Sequence, residues 1–238
     1  MFDDLNAYLN ENVWESYQAF AKARNSRTAG KSKDLRLAIN AATALYHLRE
    51  HIPPTQRKTR AGLATICSDY DLLGDIVNAS KHGHLTQGNP RVVHAEDIYE
   101  LHTSTMYQDE IGEYWHGEKS VYAKLNDGSE RDLYEVLTNV LNMWLSELHR
   151  MGAIPYTAPK PIEREIGIPP RLTETEPDQL ELEMSRGVRF AHRMRLRKYS
   201  YETNKVEPMD LAGAQVKFRI YKPSLELNIS LKNEKTGE

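Results

Sequence analysis

The stretch Asp71–Leu85, DLLGDIVNASKHGHL, decides how the chain folds. As a helix it brings Asp71, Asp75, Asn78 and His82 to one side, because residues three and four apart are neighbours. Leu72, Leu73, Ile76, Val77 and Ala79 fill the rest of the surface, which predicts a buried helix carrying a polar stripe. Polar groups at buried positions need partners. Gly83 is the stop signal, and it leaves His82 at the negative end of the helix dipole. A helix apolar on most sides must be covered on most sides, so the flanking chain has to supply the cover.

Upstream, residues 3–24 read as a helix with Leu5, Leu9, Val13 and Phe20 near one face. Trp14 and Tyr17 flank that face and are expected to be exposed and available for self-association. Ser32 and Asp34 are start signals for a second helix, in which Leu37, Ala38, Ala41, Leu45, Leu48 and Ile52 recur at spacings of three and four. Pro53-Pro54 ends it. Downstream, Ile98–Met106 and Ser120–Leu125 read as strands, and Asn126-Asp127-Gly128 has hairpin-turn chemistry. This predicts a small antiparallel insertion at about 92–130. Residues 131–151 return to helix, and Leu133, Val136, Leu137, Val140, Leu141, Trp144, Leu145 and Leu148 form a stripe wide enough to close a four-helix core.

Residues 152–178 hold six prolines and little periodicity, which reads as a linker or extended arm. Beyond it the period becomes two, as in Val188, Phe190, Met194 and Leu196 against Arg189, Arg193, Arg195 and Arg197. Similar alternation at 216–220 and 225–231 completes the pattern of a small antiparallel β unit. The expected fold class is α+β: residues 1–151 a helical bundle with a β-hairpin insertion, 152–178 a Pro-rich linker, and 179–238 a small C-terminal β domain.

Composition narrows the function classes. A net charge of −3 over 238 residues gives no global attraction to nucleic acid, so any basic surface must be local. A single cysteine, Cys67, excludes an intrachain disulfide and a Cys-rich zinc site, and fits a reducing cytosol. The N-terminal MFDDLNAYLNENVW has acids and amides where a signal peptide needs basic residues, and no apolar run approaches the roughly 20 residues of a membrane span. The expected location is cytoplasmic, with no membrane partner. Phosphate-loop, dinucleotide, nucleophile-elbow and His-Glu-x-x-His motifs are absent.

Three residue sets carry candidate chemistry. The first is Val77-Asn78-Ala79-Ser80-Lys81-His82, which resembles the motif of the HEPN superfamily, helical bundles common in prokaryotic toxin and phage-defence systems. Many members carry Arg, often then Asn, three further residues and His. The resemblance, over residues 1–88 and 131–151 at most, implies dimers whose Arg and His residues meet and cleave RNA without metal. Asn78 and His82 match the spacing, and Val77 occupies the Arg position. RNA cleavage builds negative charge that a guanidinium stabilises while His moves the proton. Val77 does neither, so Arg57, Arg60 or Lys81 would have to serve from elsewhere. Two readings stand side by side: Asn78 and His82 as catalytic residues, or as residues that cap and cross-link buried helices.

The second set is His47, His51, His82 and His84, which could approach one transition metal. Solvent-facing or supporting histidines are the competing reading, and neither a metal nor a cofactor is expected. The third set is the basic strand. Arg189, Arg193, Arg195 and Arg197, with Lys198, Tyr199, Lys217 and Arg219, suit phosphate contact and base stacking, or an acidic protein partner. The bland alternative is a solvated face paired across strands with Glu181, Glu183 and Glu226. Taken together, the sequence reads as a non-catalytic or weakly catalytic component of a prokaryotic antiviral-defence or toxin–antitoxin-type system. It would bind nucleic acid (RNA or DNA) or a partner protein, as a homo-oligomer or a subunit of a complex. The rivals are a metal-independent ribonuclease using His82, and a scaffold subunit.

Overall fold

The computed structural model describes residues 3–25, 28–29, 33–108, 112–161, 181–182, 191–200 and 205–208. The fold is α+β. Helix α1 (Asp3–Tyr8) runs through a π-helical segment (Leu9–Trp14) into α2 (Glu15–Arg24). The buried residues of this helix explain the π segment. Leu5, Leu9, Val13 and Tyr17 are all buried and each is four residues from the next. At 3.6 residues per turn, a strict spacing of four drifts steadily around the helix, and the wider π turn brings the row back into line.

Helix α3 (Lys33–His47) ends in a 3-10 turn (Leu48–His51), and the short α4 (Arg60–Ala64) leads to α5 (Asp69–His82). Gly83 closes α5 with φ 77, its amide donating to the Ala79 carbonyl at 2.8 Å. Helix α6 (Leu133–Arg150) is capped by the Asp132 carboxylate, which accepts from the Tyr134 amide at 2.8 Å. These helices share one core with Phe20, Leu45, Tyr70, Leu72, Ile76, Leu137 and Trp144 buried at its centre. The expected buried α5 and four-helix core are both present. Two large polar side chains inside the core are matched: the Trp144 indole donates to the Leu45 carbonyl and the Tyr70 hydroxyl to the Tyr46 carbonyl, each at 2.9 Å. Tyr17, expected on an exposed face, lies in the core with its hydroxyl 2.9 Å from Thr138 Oγ1. Trp14 is half-buried, with the Lys160 ammonium over its ring.

The hairpin strands β2 (Ile98–Gln108) and β3 (Glu113–Lys124) pair antiparallel, and β4 (Glu130–Asp132) follows the Asn126–Ser129 turn. Gly128 takes φ 85 in that turn, which favours glycine. A two-residue strand β1 (Thr28–Ala29) pairs parallel with β5 (Glu181–Leu182). Strand β6 (Ala191–Ser200) runs parallel to β2, and β7 (Lys205–Pro208) pairs antiparallel with β6, giving the order β4-β3-β2-β6-β7. The strand expected in a separate antiparallel β unit is thus an extension of the hairpin's own sheet. Alternation identifies a half-buried strand but carries neither the direction nor the identity of its neighbour. The chain divides into compact units at 1–208 and 209–238, and the second unit lies outside the described residues. No described helix is long and apolar enough to cross a membrane.

The Pro-rich arm begins docked. The Ala153 amide donates to the Leu148 carbonyl, and the Asn142 side chain both accepts from the Lys160 amide (2.7 Å) and donates to its carbonyl (2.9 Å). The strands expected at 216–220 and 225–231 lie outside the described residues, as do Arg189, Lys217 and Arg219.

Candidate functional site

The polar stripe of α5 divides into two halves. Its N-terminal half serves the fold. Asp75 is buried, and its two carboxylate oxygens accept from Arg60 Nη2 (2.7 Å) and from the Arg91 amide (2.8 Å). Arg60 also donates to the side chain and the carbonyl of Asp71, each at 2.7 Å. Its guanidinium therefore lies along α5, and Gly74 leaves the room for it. Arg57 is occupied as well, donating to the carbonyls of Glu50 and Ile52. The C-terminal half is open. His82 is exposed and Asn78 half-buried, and among the described residues neither side chain takes part in a hydrogen bond or ion pair. Lys81 is exposed beside them.

The histidines predicted as one group are dispersed. His47 Nδ1 is 2.8 Å from Glu50, and His51 Nδ1 is 3.0 Å from Asp4 with its ring stacked on Tyr8. His84 instead meets His94, with 2.9 Å between the two Nδ1 atoms. Among the described residues, no three His, Cys, Asp or Glu side chains are placed to hold a metal ion.

In the basic strand, Arg193, Arg195 and Arg197 stand in register with Thr103, Thr105 and Tyr107 of β2. Lys198 and Tyr199 pair with Glu207 and Val206 of β7. The Arg197 side chain is half-buried.

One buried group of ionisable side chains escaped the sequence reading. Glu100 and His102 on β2, Lys119 on β3 and Asp34 on α3 are all buried. Lys119 Nζ is 2.7 Å from Asp34, and Glu100 accepts from the Leu35 amide at 2.8 Å, so it caps the exposed donors at the start of α3. His102 Nε2 lies 3.8 Å from Glu100. Burial pushes the Glu100 carboxyl above the ordinary carboxylate range; the Leu35 amide opposes that shift and Asp34 reinforces it. Closed to solvent, the quartet joins α3 to the sheet. Its signal was present in the alternation: Ile98-x-Glu100-x-His102 and Lys119-x-Val121-x-Ala123 each put charge on the row that faces the core.

Comparison with protein-family models, with curated proteins and with solved structures finds no match.

Proposed function

We propose that the chain is a binding component rather than a catalyst, of the kind found in cytoplasmic prokaryotic defence and toxin–antitoxin systems. It would engage nucleic acid or an acidic partner protein along β6. The observation that carries this reading is the placement of Arg193, Arg195 and Arg197 at alternate positions of a strand that has, among the described residues, only the four-residue β7 beyond it. The occupied state of Arg57 and Arg60 supports it from the other side, since neither of these two guanidinium groups is left to serve a phosphate at His82.

The test is binding of labelled single-stranded RNA and duplex DNA across a salt series. Nucleic-acid contact gives a linear fall of log affinity with log salt, and Arg193→Ser/Arg195→Ser/Arg197→Ser should flatten the duplex slope by roughly one per lost contact. A variant that binds as well as the wild type refutes the nucleic-acid reading. Retention of every copurifying protein by the same variant refutes the partner reading.

A second reading draws on the exposure of His82. As a metal-independent ribonuclease, the chain would use His82 as acid/base and Asn78 to orient substrate, with a guanidinium from a second copy. RNA cleavage lost in His82→Ala at an unchanged Tm selects this reading. A wild-type protein that cleaves no RNA removes it.

A further inference from the structure

Beyond α5 the chain turns back on itself. The Ala95 amide donates to the Gly83 carbonyl and the Leu85 amide to the Val93 carbonyl, each at 2.9 Å. These two rungs flank His84 and His94, which form an isolated antiparallel bridge. They are therefore the non-hydrogen-bonded pair of the ladder, the arrangement that brings facing side chains closest. Further bonds hold the frame. The His94 amide donates to Asp97 at 3.1 Å, and the Arg91 amide is held by the buried Asp75. The Asn126 amide donates to the Arg91 carbonyl at 2.8 Å.

On this frame the Nδ1 atoms are 2.9 Å apart while the ring centroids are 4.4 Å apart. The nitrogens are closer than the ring centres, so the two Nδ1 edges converge. His84 is exposed and His94 half-buried, so the point of convergence is open to solvent. Imidazole nitrogens bind late first-row ions at about 2.0–2.1 Å. Two of them at right angles on one ion stand about 2.9 Å apart, whereas tetrahedral ligands stand about 3.3–3.4 Å apart. The separation matches the right-angle case, the tetragonal preference of Cu(II) and Ni(II).

We propose that His84 and His94 form a two-imidazole site for a divalent ion of tetragonal preference, Cu(II) or Ni(II), with water in the remaining positions. The ion would tie the base of loop 83–95 at the open end of α5. Without it, the same contact is a hydrogen bond between a Nδ1–H tautomer and its neighbour.

The test uses the untagged full-length chain, stripped of metal and titrated with copper(II) chloride, followed by calorimetry and by electron paramagnetic resonance. The expected result is one copper per chain with a tetragonal spectrum showing coupling to nitrogen. His84→Ala and His94→Ala should each weaken binding by more than about tenfold, since even partners outside the coordination shell are worth that much. His82→Ala and His149→Ala, exposed histidines that serve as controls, should bind as the wild type does. All four are exposed or half-buried positions, and an unchanged melting curve confirms that each variant is folded. A wild type that takes up no copper overturns the proposal. So does copper binding that survives loss of His84 or His94, or that is lost only with His82.

Discussion

Gly74 lies in the middle of α5, where replacing glycine by alanine ordinarily gains about 1 kcal/mol. Here the opposite sign is expected. A β-carbon at position 74 would stand 2.8 Å from Arg60 Cζ, 2.9 Å from Arg60 Nη2 and 2.9 Å from Tyr46 Cε2. Something must move, and the guanidinium is the softer neighbour. Its displacement breaks the bond to Asp75, whose side chain is only 9% exposed. A hydrogen bond to a charged group is worth about 1.5–3 kcal/mol. The pair with Asp71, 47% exposed, adds little. Subtracting the helix gain leaves Gly74→Ala destabilising by about 0.5–2 kcal/mol. For a chain of this size that is a fall in Tm of about 1–8 °C. Urea unfolding followed by far-ultraviolet circular dichroism and by tryptophan fluorescence measures it. The control is Arg60→Ala/Gly74→Ala. Once the guanidinium is gone, Tyr46 can shift into the vacated space and the alanine should be neutral or stabilising, a coupling of about 1 kcal/mol or more. A Gly74→Ala protein that is more stable than the wild type would refute the reasoning, and so would equal effects in the two backgrounds.

Two further outcomes follow from the same contacts. Glu100 has a raised carboxyl pKa in the folded state, so the native protein holds a proton that the unfolded chain releases. Stability from this group therefore falls as pH rises from the ordinary carboxylate range through the raised value. Glu100→Gln removes that titration and should gain on the wild type across the window while matching it at lower pH. A difference independent of pH, in paired urea titrations, would count against it. Asn142→Ala should free the first turn of the Pro-rich arm, because both bonds that hold the backbone of Lys160 are lost. Hydrogen exchange at the Lys160 amide should then approach that of an open chain, and unchanged protection would show that other contacts hold the arm.

Much of the helical part was legible because its signals are local. Apolar residues at spacings of three and four marked α3, α5 and α6, Pro53 and Gly83 marked two ends, and Asn126–Gly128 marked a turn. The π segment was not legible, since nothing in Leu9–Trp14 departs from ordinary helical composition; only the strict spacing of four hinted at it. The partner of β6 was also hidden. A parallel neighbour more than 80 residues away in sequence, as Leu101 is to Ala191, is chosen by tertiary packing rather than by local pattern. Of the candidate residues, the relation of Asn78 to His82 was visible as spacing, but the roles of Asp75, Glu100 and Lys119 required knowing what lies across from them. The His84–His94 pair was missed for the same reason: ten residues apart with no regular structure between, the two rings are brought together by a turn that the sequence does not announce.

The loop at residues 83–95 ties these separate observations into one mechanical unit. Asp75 is the only stripe residue whose carboxylate bonds both a side chain before α5 and a backbone amide after it. Through Arg91 the loop is tied to the helix. Through the Asn126 amide and its side-chain bond to the Pro90 carbonyl, it is tied to the hairpin turn. The buried acid thus gives up hydration to fix a loop. What the loop presents on its open side is His84 and His94, the first of them two residues from the exposed His82. A stripe that begins in the core and ends in solvent divides its labour along its length: the carboxylates at one end hold the scaffold, and the imidazoles at the other are left for whatever binds there. For this reason Gly74 and Asp75 belong to the same account as the histidines. A change at either should be felt first at the base of the loop, before it reaches the core that Leu72 and Ile76 fill.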